Sequence, residues 1–69
     1  MTEPTYLRAA VEDWRAGRIV IDKLIELWAR PFHISGYDAL NHLCDASGGM
    51  DSRTLPTDRI CEILRKARG

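Results

Sequence analysis

The sequence predicts an all-α fold: a small helical bundle of three to four short helices, residues 1–69 forming a single domain. Three observations predict it. Apolar residues recur at the i, i+3, i+4, i+7 spacing of one helix face in separate stretches along the chain. Helix-ending residues divide those stretches, namely Gly17, Pro31, the pair Gly48-Gly49, and Pro56. No stretch alternates apolar with polar residues over strand length; residues 18–21 come nearest and are too short.

The first helix is expected over about residues 3–16. Thr2 is placed to cap it, Glu3 suits the positive end of its dipole, and Pro4 is tolerated in a first turn. Leu7, Ala10, Val11 and Trp14 make its apolar face, and Gly17 follows where a left-handed residue closes a helix. The second helix is expected over about residues 19–30, with Ile21, Leu24, Ile25 and Trp28 as its main stripe and Pro31 as its stop. Ile19, Val20 and Leu27 fall outside that stripe, so this helix is either central in the bundle or part of an interface. Ser35-Gly36-Tyr37-Asp38 looks like a capping box and opens a third helix that runs to about Ala46. Residues 47–55 make a long connection with two glycines, expected to be mobile or held by a partner. Pro56 starts the last helix, whose face is Ile60, Ile63, Leu64 and Ala67. Arg65, Lys66 and Arg68 offset the dipole at its carboxyl end.

Size and charge narrow the function classes. A folded 7.8 kDa monomer exposes roughly 4,400 Å² of the roughly 11,300 Å² of its extended chain. The apolar part of that burial stabilises by about 100 kcal/mol, and ordering the chain costs about the same. Self-association is the simplest way to tilt such a balance, and a homodimer is expected through Ile19, Val20 and Leu27. Ten basic residues against ten acidic ones exclude a strongly basic nucleic-acid binder and a strongly acidic mimic. With ample Leu and Ile, disorder is not expected. No apolar run approaches a membrane span and the first residues carry no basic leader, so a soluble, cytoplasmic chain is expected.

No constellation points to catalysis, a cofactor or a metal. His33, His42, Cys44 and Cys61 are the soft ligands, and the spacing of His42 and Cys44 sends them to opposite sides of a helix. Both cysteines fall near apolar faces, where small buried thiols are the common outcome. Gly48-Gly49 lacks the lysine of a phosphate loop.

A helix-turn-helix is the rival reading. Ala29, Ile34, Ser35 and Ala39 fall near the small and apolar positions of such a motif, although His33 stands where glycine is usual and His42 where an apolar residue is. Charge opposes it: the would-be recognition helix holds Asp38 and Asp45 and no lysine or arginine, and phosphates repel it. Direct sequence-specific DNA binding is therefore not expected. Large anchors remain, in Trp14, Trp28, Phe32 and Tyr37, with arginines near them in sequence. Arg18, Arg30, Phe32 and Tyr37 are the candidate partner-binding residues, expected to gather at the turn between the second and third helices.

Length, helical layout, neutral charge and the corner Trp14-Arg15-Ala16-Gly17-Arg18-Ile19 resemble the small early proteins with which transposable phages disarm their hosts. Among these the chain is similar to the quorum-sensing anti-activator class. That resemblance implies a non-enzymatic inhibitor of a host regulatory or motor protein: a LuxR-type transcription activator, the type IV pilus assembly ATPase, or both. It carries over no individual residue. An anti-CRISPR-like or antitoxin-like inhibitor is the neighbouring alternative, and a small helix-turn-helix regulator the alternative of a different class.

Overall fold

The computed structural model describes residues 4–67. Four helices follow one another: α1 (Thr5–Arg15), α2 (Ile21–Phe32), α3 (Gly36–Ser47) and α4 (Thr57–Lys66). A single 3-10 turn at Ser52–Thr54 lies between α3 and α4. Among the described residues there is no strand, only an isolated bridge residue at Ile34. The expected roles of Thr2, Glu3 and Arg68 lie outside the described residues.

Local chemistry explains most helix ends. After α1 the Gly17 N–H donates to the Trp14 carbonyl and the Arg18 N–H to the Asp13 carbonyl, while Gly17 takes φ +80°. This pair of bonds is a Schellman closure, and it needs a left-handed residue. Gly48 and Gly49 repeat it after α3, on the carbonyls of Asp45 and Cys44. Because Arg18 is used in closing α1, Ile19 lies in a bend and Val20 is the extended cap before α2, so neither belongs to its first turn. Ser35 caps α3 as expected, its Oγ accepting from the Asp38 N–H at 3.3 Å. The capping box is not reciprocal, because the Ser35 N–H donates instead to the Ala67 carbonyl at 2.7 Å and ties this turn to the end of α4.

Pro31 does not stop α2. The helix continues through it to Phe32 and ends at His33, which is left-handed at φ 53°. Proline in a helix forgoes one backbone bond and strains the preceding turn. The compensation is visible: Phe32 lies one turn beyond Trp28 and stacks on it, ring centroids 5.4 Å apart.

α1 and α4 form the middle of the molecule, α2 packing on α1 and α3 on α4. The core joins Leu7, Val11, Leu24, Trp28, Leu43, Ile60 and Leu64, all fully buried or nearly so. Inside it the Trp28 Nε1–H donates to the Leu7 carbonyl at 3.2 Å, joining α2 to the first turn of α1. The expected faces of α1 and α4 are all buried.

The connection after α3 is tied down by hydrogen bonds within its own chain. Ser47 Oγ donates to the Met50 carbonyl at 2.9 Å, and Thr54 Oγ1 to the Asp51 carbonyl at 2.7 Å. Arg15 reaches across from α1, donating to the Arg53 carbonyl at 3.2 Å and to Thr57 Oγ1 at 2.8 Å. The accessible surface is 4307 Å², close to the roughly 4,400 Å² of an ordinary folded chain of this mass.

Candidate functional site

The turn between α2 and α3 was the expected gathering point of Arg18, Arg30, Phe32 and Tyr37, and only part of that set meets there. Arg18 lies before the opposite end of α2, whose stretch from Ile21 to Arg30 alone spans about 13.5 Å at 1.5 Å per residue. It donates from Nε to Asp13 Oδ1 at 2.8 Å, clamping the α1–α2 corner. Arg30 is on the outer side of α2 and donates to Glu26 at 3.0 Å. Since α2 runs through Pro31, Phe32 is rotated about 200° from Arg30 and faces inward. It packs against the core on Trp28 and is half-buried. Tyr37, one residue into α3, is 77% exposed. Arg30 and Tyr37 thus remain as surface groups of this turn, while Phe32 supports it from below.

The expected self-association residues also divide. Ile19 and Leu27 pack against the core from its edge, and only Val20, 68% exposed, is left to solvent. The apolar residues that fall outside the main stripe of α2 are therefore covered largely by the chain itself.

Sequence reasoning missed the outer face of α3. Ala39 and Leu43 point into the core, and on the far side Tyr37, Leu40 and Cys44 follow one another at i, i+3 and i+7. Leu40 is 46% exposed. Cys44 is exposed too, contrary to the expectation of two buried thiols; Cys61 alone is buried. The signal in the sequence is the i, i+3, i+7 spacing of Tyr37, Leu40 and Cys44. Asp38 and Asp45, seven residues apart, share a different side of the helix, on which Asp45 lines the groove to α4. From Pro31 to Ser52 the chain has three aspartates and no lysine or arginine.

On its other flank α3 meets α4 across an open groove of about 360 Å³, lined by His42, Asp45, Ala46, Arg59, Glu62, Ile63 and Lys66. Three of its charged groups pair, Glu62 accepting from Arg59 at 2.6 Å and lying 3.6 Å from Lys66. No nucleophile–base pair lies in it. Among the described residues, no three His, Cys, Asp or Glu side chains gather as a metal site. The perturbed titratable pair is elsewhere, on the 3-10 turn. There the hydrogen-bonded Arg53 guanidinium holds the Asp51 carboxyl below its ordinary value.

The chain matches no protein-family model, no curated protein and no solved structure. Its own surface offers α3, a helix with exposed Tyr37 and Leu40 and with no lysine or arginine. Among the described residues no helix is long and apolar enough to cross a membrane.

Proposed function

We propose that this chain is a non-enzymatic regulatory protein that binds another protein and inhibits it by stoichiometric occlusion. The observation that carries the reading is the outer face of α3, where Tyr37 and Leu40 stand exposed on a helix with no lysine or arginine. Tyrosine supplies large contact area at little conformational cost, and an exposed aromatic beside an exposed leucine favours a protein surface. Arg30, at the end of α2, is the accompanying guanidinium. The likeness to phage anti-activators makes a LuxR-type activator and the type IV pilus assembly ATPase the first targets to try, in the host cytoplasm. A homodimer, assembled through the Val20 corner, is part of the proposal.

Titration of a captured target tests it. One-to-one binding is expected, weakened by about 2 kcal/mol in Tyr37→Ala or Arg30→Ala with the melting point unmoved. Unchanged affinity in both variants would remove this surface from the proposal.

One observation favours the second reading, a DNA-binding regulator: α2, a three-residue turn beginning with left-handed His33, and α3 succeed one another as in a helix-turn-helix. The acidic α3 opposes it. Nanomolar affinity for a defined duplex, with a steep salt dependence, would decide for DNA.

A further inference from the structure

We draw no further inference here: the strongest candidate, the exposed face that Tyr37, Leu40 and Cys44 form on the outer side of α3, carries none, because nothing in the structure shows what covers it.

Discussion

Phe32 lies beneath the α2–α3 turn against Trp28, whereas Tyr37 projects from α3 into solvent. Truncating the first uncovers the Trp28 ring and opens the edge of the core, so Phe32→Ala should lower the unfolding free energy by about 2 kcal/mol. Tyr37→Ala, which empties nothing, should stay within about 0.5 kcal/mol of the parent. Urea denaturation of the two variants checks the contrast, and equal losses would place both rings in the core. Between them His33 holds φ 53°, a region that costs a β-carbon-bearing residue roughly 1–2 kcal/mol. Glycine avoids that cost but has more freedom to lose from the unfolded chain. The expected net effect of His33→Gly is stabilisation by about 0.5–1 kcal/mol. A lower melting point would mean that the imidazole makes a contact worth more than the relief of strain.

At the scale of elements, the 3-10 turn is the most polar of the connections and is fastened by side chains. The Asp51 Oδ1 accepts from the Arg53 N–H at 3.0 Å, and the Arg53 guanidinium returns to the same carboxylate at 2.9 Å. The hydrogen-bonded guanidinium lowers the Asp51 pKa in the folded chain relative to the unfolded one, so folding favours the ionised carboxylate. Its contribution is complete above the unfolded value and disappears as pH falls through the lowered, folded value. An NMR titration of the Asp51 carboxyl should therefore give a midpoint below 3.8, and Arg53→Ala should move it back up. A midpoint at 3.8 or higher in the parent chain would show that the pair does not persist in solution. α2 teaches a different lesson: the helix runs past the end that proline marks, and the Phe32 ring beyond Pro31 stacks on Trp28 one turn back.

For the whole molecule the question is how many chains make the functional unit. The monomer reaches the surface area ordinary for its mass, and Ile19 and Leu27 are already partly covered within it. Any drive to self-associate must therefore come from the exposed remainder, to which Val20 belongs along with Tyr6, Met50 and the outer residues of α3. Sedimentation equilibrium at micromolar concentration should give about twice the chain mass, and Val20→Asp should return it to one chain. A parent chain that sediments as a monomer, with a melting point independent of concentration, would remove the dimer from the proposal.

The sequence by itself determined the helical class, the amphipathic faces of α1, α2 and α4 and most of the helix ends. These depend on residues within one or two turns of each other: a serine three residues before an accepting N–H, a glycine free to turn left-handed, apolar residues at a period near 3.6. Leu7, Val11, Ile60 and Leu64 were legible for that reason, and so was the cap at Ser35. Only the tertiary structure decided which residues of a face are covered and which are free to bind. α2 ran past Pro31 and brought Phe32 inward onto Trp28; the Schellman closure took Arg18 and left Ile19 and Val20 outside the helix. The position of α4 decided that Ala39 and Leu43 would be buried and that Tyr37, Leu40 and Cys44 would face outward. Burial is a property of what packs opposite, and for these residues the opposing surface comes from a part of the chain that local spacing does not encode.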